Sequence, residues 1–227
     1  SLCKGKGGTK HLFSTDVGFL GTSGIVGSSL PQAVGVGLSI QLRGTDQVAV
    51  CFLGDGACNT GQFHESLNLA GIWRLPVVFV IENNLYGGTV PIAQSTPIKD
   101  LAIRAKGYGM PGRVVDGMDV LAVSWEAESA IQRARLGEGP TVLECKTYRF
   151  LGYSRADPPY GLYRTREEVL EWRTRDPIKK IEDMGILEST ECQAITSNIV
   201  QELEKAASYA QESPLPEPEH ALEDVYA

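Results

Sequence analysis

The chain has 227 residues, of which 42% are hydrophobic, and a formal net charge of −7 from 21 basic and 28 acidic side chains. No basic block stands out, which argues against nucleic acid or an anionic membrane surface as a partner. The length suits one large α/β domain, alone or with a helical tail.

The chain opens on Ser1-Leu2 within a glycine-rich segment, residues 4–27, that has little periodicity and reads as loops. Such a start resembles the middle of a domain, so a fragment or processed product is expected. Small and apolar residues over 30–42 predict a helix, with Gly35 and Gly37 permitting close packing. Residues 47–53 (QVAVCFL) predict a buried strand ending at Gly54-Asp55-Gly56. Residues 60–73 predict a helix with Phe63, Leu67 and Ala70 on one face. Residues 76–81 (PVVFVI) predict the next strand, before Glu82-Asn83-Asn84.

A short helix is expected over 97–106, a short strand over 113–115, a helix over 120–136 and a strand over 140–147 (PTVLECKT). Strands alternating with helices predict an α/β fold, a mostly parallel sheet with helices on both faces. The character changes after Arg149: a loop over 150–163 precedes charged helices at 164–175, 177–184 and 189–211. The prolines at 214, 216 and 218 then predict an extended tail. The expected division is an α/β domain over 1–150 and an active-site loop, C-terminal helices and tail over 151–227.

The five cysteines (Cys3, Cys51, Cys58, Cys145, Cys192) are odd in number and form no CxxC pair. They argue against a disulfide framework or zinc site and for a reducing compartment, either the cytoplasm or an organelle matrix. The apolar runs at 48–53 and 77–81 are too short to cross a bilayer.

Chemistry is concentrated in Gly54-Asp55-Gly56 followed, after 26 intervening residues, by Asn83-Asn84. Either half alone is a common turn signal. Together they lie at the carboxyl ends of successive predicted strands, where open α/β sheets bind ligands. A helix starting near Ala57 would aim its free N–H groups at a phosphate. Asp55 offers one anionic oxygen and Asn84 one neutral oxygen, a set that suits magnesium completed by phosphate and water.

This GDG…NN pattern resembles the signature of thiamin-diphosphate enzymes. The text GDGACNTGQFHESLNLAGIWRLPVVFVIENNLYG is similar to alpha subunits of the pyruvate, acetoin and branched-chain 2-oxo acid dehydrogenase first components. KGKGGTKHLF, GIVGSSLPQAVGVGLS, VVDGMDVLAV, YRFLGYSRADP, YRTREEV and LEDVYA are similar to the same family. The resemblance implies a thiamin-diphosphate-binding fold with thiamin diphosphate and Mg2+ as cofactors. It implies Asp55, Asn84 and the Tyr86 carbonyl as metal ligands, and Gly56, Ala57 and Gly87 along the diphosphate. Gly24 and Val26 would face the aminopyrimidine ring.

The implied activity is carbon–carbon cleavage of a 2-oxo acid or acetoin, with acyl transfer to a lipoyl group. The implied partners are a beta subunit, in an α2β2 assembly that supplies the activating glutamate, and a lipoyl-bearing acyltransferase. Two departures stand out. The family's Gly-His-Ser loop reads Gly152-Tyr153-Ser154 here, so Tyr153 occupies the position of a cofactor-contacting, catalytic histidine. A tyrosine can donate a hydrogen bond but stays neutral near pH 7. The family's earlier segment, with an aromatic–arginine pair on the diphosphate, precedes the point where this sequence starts. A non-catalytic alpha-like paralogue that assembles with a beta subunit is therefore the alternative. A nicotinamide enzyme is disfavoured, since Gly35-Val36-Gly37 lacks the third glycine, with Ile40 in its place.

Overall fold

Leu30, Val34, Gly37 and Ile40 recur at helical spacing, and this buried stripe forms the inner face of α1 (Ser29–Arg43). In the computed structural model, which describes residue 8 and residues 10–223, α1 is followed by β1 (Ala49–Gly54). A 3₁₀ turn (Asp55–Asn59) then leads into α2 (Gly61–Trp73). The Thr60 hydroxyl caps α2 by accepting the Phe63 N–H at 3.4 Å. Phe63, Leu67 and Ala70 are fully buried on its inner face, as their spacing predicted.

Next come β2 (Val77–Asn83), the short strands β3 (Tyr86–Gly87) and β4 (Val90–Pro91), and the single turn α3 (Ile92–Ser95). The helix expected over 97–106 is instead a 3₁₀ segment, Leu101–Tyr108. Then follow β5 (Gly112–Asp116), α4 (Val120–Arg135), β6 (Thr141–Lys146) and α5 (Arg166–Arg173). Asp119 caps α4, its carboxylate accepting the Leu121 and Ala122 N–H groups at 3.1 Å each.

Four strands form one sheet in the order β1-β2-β6-β5, and every pairing is parallel. Strand alternation sorts the core into two layers. On one face Cys51, Leu53, Val77, Phe79, Ile81 and Val142 pack against α1, α2 and the 3₁₀ segment. On the other Val78, Val80, Val115, Leu143 and Cys145 pack against α4. Val50 and Phe52 of the edge strand β1 point to this second face and are exposed. A third cluster, Tyr86, Tyr148 and Val169 with Trp172 and Tyr163 against it, ties α5 to the strand ends.

The described residues form two units: Ile25–Pro177, which holds the sheet, and a second made of the preceding and following residues. The second unit contains an isolated bridge, Ser14 to Phe19, the rest of α6 (Pro177–Asp183) and α7 (Ser189–Glu212). Glu188 and Glu191 form a capping box at the start of α7. The tail is extended at Ser213 and Glu217 but turns into a 3₁₀ helix at Pro218–Leu222, which corrects the expectation of an extended tail throughout. Cys3, most of residues 4–9 and residues 224–227, the end of the LEDVYA match, lie outside the described residues. No described helix is long and apolar enough to cross a membrane.

The two α1 glycines differ. A Cβ on Gly37 would lie 2.5 Å from Val77 Cγ2 and 3.3 Å from Leu75 Cβ, whereas one on Gly35 would meet nothing within 4 Å. Only Gly37 thus permits the close packing expected of both. Gly37→Ala should destabilise the fold by about 1–3 kcal/mol through overpacking. Gly35→Ala should stabilise it by about 0.5–1 kcal/mol through helix propensity. Denaturant unfolding of the two variants beside the parent checks the opposite signs.

Candidate functional site

β1 and β2 run side by side with Gly54 opposite Glu82, so the turns leaving both strands emerge together at the carboxyl edge of the sheet. After β1 comes Asp55, 1% exposed. One carboxylate oxygen, Oδ1, accepts the Gly56 N–H at 2.7 Å, while Oδ2 is buried with no hydrogen-bond partner. From Asn83, the last residue of β2, the chain passes through Asn84 into Leu85, whose φ of 72° is left-handed, a conformation uncommon for leucine. The Asn83 carboxamide oxygen accepts the Leu85 N–H at 3.2 Å, and the Asn84 one accepts the Tyr86 N–H at 3.3 Å.

The two turns touch. A Cβ on Gly56 would lie 3.3 Å from Gly87 Cα, and one on Gly87 would lie 3.4 Å from Gly56 Cα. Glycine is needed at both positions for this backbone approach. Opposite Tyr86 in the β3–β4 ladder stands Pro91, which has no N–H to give the Tyr86 carbonyl. Ala57 is buried within the 3₁₀ turn. The expected helix near Ala57 therefore begins later, at Gly61, and the 3₁₀ turn supplies the backbone N–H groups beside Asp55.

Burial is the main influence on Asp55 and raises its pKa. The Gly56 N–H and the Arg149 charge pull it down, Glu144 pushes it up, and the nearby Leu85 amide adds a small downward pull. That amide's hydrogen bond goes to Asn83, so Asp55 Oδ2 stays unsatisfied. A buried anionic oxygen without a partner is costly unless a cation or donor meets it. Among the described residues no three His, Cys, Asp or Glu side chains converge on a metal position. The donor set here has one carboxylate with neutral oxygens beside it, which fits magnesium sharing its shell with phosphate and water.

Behind the turns lies a buried polar core that the sequence reading missed. Glu144, from β6 and fully buried, accepts from Asn83 Nδ2 at 2.7 Å and from the Ala102 N–H at 2.8 Å. Lys146 Nζ lies 2.6 Å from the same carboxylate. The available signal was an acid directly between Leu143 and Cys145 within a predicted buried strand. Tyr86 was expected only for its carbonyl, yet its hydroxyl donates to Glu168 at 2.7 and 2.9 Å. The Tyr148 hydroxyl donates to Glu168 at 2.9 Å, and burial together with that carboxylate pushes its pKa up to about 12.

The 150–163 loop is internally braced. Buried Arg164 donates to the carbonyls of Arg149 and Leu151, and to that of Pro159 at 2.6 Å. Arg149 donates to the Gly88 carbonyl at 2.6 Å, while its Nε is buried and unpartnered. The Tyr153 ring lies against the Arg149 guanidinium, 5.3 Å from centroid to carbon, and remains 58% exposed. Val26 is 62% exposed within the sheet unit, and Gly24 falls in the other unit, beside His11. The structure thus brings together Asp55, Gly56, Ala57, Asn84, Tyr86 and Gly87.

A family model described as "Dehydrogenase E1 component" matches residues 1–219. The alpha subunit of acetoin:2,6-dichlorophenolindophenol oxidoreductase from Bacillus subtilis is 44% identical, over 99% of this chain and 68% of its own length. The pyruvate dehydrogenase E1 component alpha subunit of Porphyra purpurea is 42% identical, over 94% of this chain and 64% of its own. The chloroplastic alpha-3 subunit of rice is 40% identical, over 99% and 56%. The chain therefore spans 56 to 68% of the length of these relatives.

The raised pKa of Asp55 carries a sign. The folded chain holds this proton more tightly than the unfolded one, so the residue's contribution to stability is full below the usual carboxylate pKa and is lost as pH rises through the raised value. Asp55→Asn should therefore raise the melting temperature of the cofactor-free, metal-free protein at pH 7. The advantage should shrink as the pH is lowered to 4, and thermal melts across that range check it.

Proposed function

The chain belongs to the dehydrogenase E1 component family, and we propose that it is the cofactor-holding part of the alpha subunit of a thiamin-diphosphate- and magnesium-dependent acetoin or pyruvate dehydrogenase. The observation that carries this reading is the buried, unpartnered Oδ2 of Asp55 where the Gly56 and Gly87 backbones meet. Asp55, Asn84 and the Tyr86 carbonyl hold magnesium, and the Gly56, Ala57 and Gly87 backbone lines the diphosphate. Gly24 and Val26 face the aminopyrimidine ring, and Tyr153 reaches the diphosphate beside Arg149.

Thiamin diphosphate, when bound, supplies the nucleophilic carbon and electron sink for cleavage next to a carbonyl. This chain's own part is to bind and orient. Asp55 sets a fixed negative charge against the metal, and the glycine turns let backbone approach phosphate closely. A beta subunit in an α2β2 assembly contributes the ring-activating carboxylate, and a lipoyl-bearing acyltransferase receives the acyl unit from the 2-oxo acid or acetoin. The setting is the cytoplasm or an organelle matrix.

Calorimetric titration of thiamin diphosphate in the presence of magnesium tests the ligand set. Asp55→Ala should cost about 3–5 kcal/mol of affinity, the order for removing one partner of a buried charge pair. Asn84→Ala should cost less, about 1–3 kcal/mol, because water can replace a neutral ligand. Equal affinities in parent and Asp55→Ala would remove the carboxylate from the site.

One feature favours a second reading, a non-catalytic alpha-like paralogue: residue 153 is tyrosine, where the family resemblance implies histidine. Parent and Tyr153→His, each assembled with the beta subunit, separate the two. A catalytic subunit turns over as parent, whereas a silent parent revived about 10²-fold or more by histidine, the order of a positioned proton carrier, marks the paralogue.

A further inference from the structure

The ligand-bearing turn after β2 has an unusual shape, and the residue that fixes it lies on another strand. Leu85 is left-handed with no glycine to make that easy, a backbone conformation disfavoured for an L-residue. It is held there by the Asn83 carboxamide, whose oxygen takes the Leu85 N–H. The carboxamide itself is 1% exposed and is fixed through its nitrogen, which donates to Glu144 Oε1 at 2.7 Å. Glu144 is held in turn by Lys146 Nζ at 2.6 Å on Oε1 and by the Ala102 N–H at 2.8 Å on Oε2. Lys146 also lies 3.3 Å from Asp100 and donates to the Lys99 carbonyl at 2.8 Å.

We infer that Glu144 is the positioning residue of the metal-binding turn: through Asn83 it holds Leu85 left-handed and so presents the Asn84 side chain and the Tyr86 carbonyl to the cation. The inference rests on the magnesium reading given above for Asn84 and Tyr86. Glu144 touches neither metal nor cofactor in this role. Its place on β6, paired in register with β2 so that Glu144 lies opposite Ile81, puts the carboxylate under the turn whatever the turn's own sequence prefers.

The arrangement needs a carboxylate. Both oxygens receive N–H donors, so a glutamine at 144 must turn its NH2 toward Asn83 and Lys146 or toward Ala102, donor against donor. Partners behind a metal's direct ligands commonly change metal affinity by about 10–100-fold when lost. Restoring a donor–acceptor match with Asn83→Asp in the same chain should recover part of the loss, because the new carboxylate can accept from Gln Nε2 and still take the Leu85 N–H.

The test uses the whole protein and two readouts. In the cofactor-free protein, Glu144→Gln should speed hydrogen exchange at the Leu85 and Tyr86 amides, leaving the amides of β1 as in the parent. In a magnesium titration at fixed thiamin diphosphate, the half-saturating concentration should rise about tenfold or more, and the Asn83→Asp, Glu144→Gln double variant should bring it partly back. Should Glu144→Gln fail to fold, Asn83→Ala carries the same test. It cuts the link to the turn while leaving Glu144 its bonds to Ala102 and Lys146, so the Ala102 amide should stay protected as Leu85 opens. A parent that needs magnesium, with variants that need it at the same concentration or keep Leu85 protected, overturns the role of Glu144 alone. A parent that binds thiamin diphosphate equally with and without magnesium overturns the metal reading, and this inference with it.

Discussion

Parallel pairing in register between β1 and β2 is the constraint on which the site depends. Because Ala49 lies opposite Val77 and Gly54 opposite Glu82, the two strands end level, and their outgoing turns must share one small space. That space admits two backbones only where neither carries a side chain, at Gly56 and Gly87. What remains is narrow and lined by backbone, and it holds one buried carboxylate with an oxygen to spare. Such a place suits a small hard cation and the phosphate it carries better than a bulky apolar ligand. The site's polarity therefore follows from sheet register together with three small sequence choices.

A second layer of polar residues keeps this arrangement rigid. Asn83 and Glu144 are side chains of the strands themselves, in the plane where apolar residues otherwise fill the core. Each is satisfied by the other and by neighbours, the condition under which buried polar groups rigidify a fold instead of weakening it. On the outer side, Glu168 gathers the hydroxyls of Tyr86 and Tyr148, and Tyr148 stacks on Trp172 with centroids 5.1 Å apart. The turn after β2 is thus gripped from the sheet below and from α5 beside it. The loop bearing Tyr153 is anchored through Arg164 to its own carbonyls.

Much of this was legible in the sequence, and the rest was hidden for physical reasons. The long elements α1, α2, α4, β1, β2 and β6 announce themselves by period, because each buries a continuous face. The GDG and NN turns were legible as a pair because each sits at a strand end. The hairpin β3–β4 and the turn α3 leave no mark in the sequence, since two-residue strands and a single helical turn carry no periodicity. The 3₁₀ form of Leu101–Tyr108 escaped for a similar reason: an eight-residue amphipathic stretch does not declare its pitch. Strand order, with β6 between β2 and β5, follows from no local signal. Without that order the glutamate of PTVLECKT cannot be placed beneath Asn83.

Asp55 hangs from the tip of an edge strand. Among the described residues β1 is hydrogen-bonded along one side only, and its Val50 and Phe52 side chains face outward uncovered. With neighbours on one side only, β1 and the turn beyond it are expected to open before the β2–β6 centre when no ligand is bound. An ion bridging Asp55 to the turn after β2 would stitch that unit to the middle of the sheet. Occupancy would then be felt well away from the ligand: proteolytic resistance and lifetime of the whole chain would track cofactor supply, because ligand held only by the closed form lowers the population of the open one.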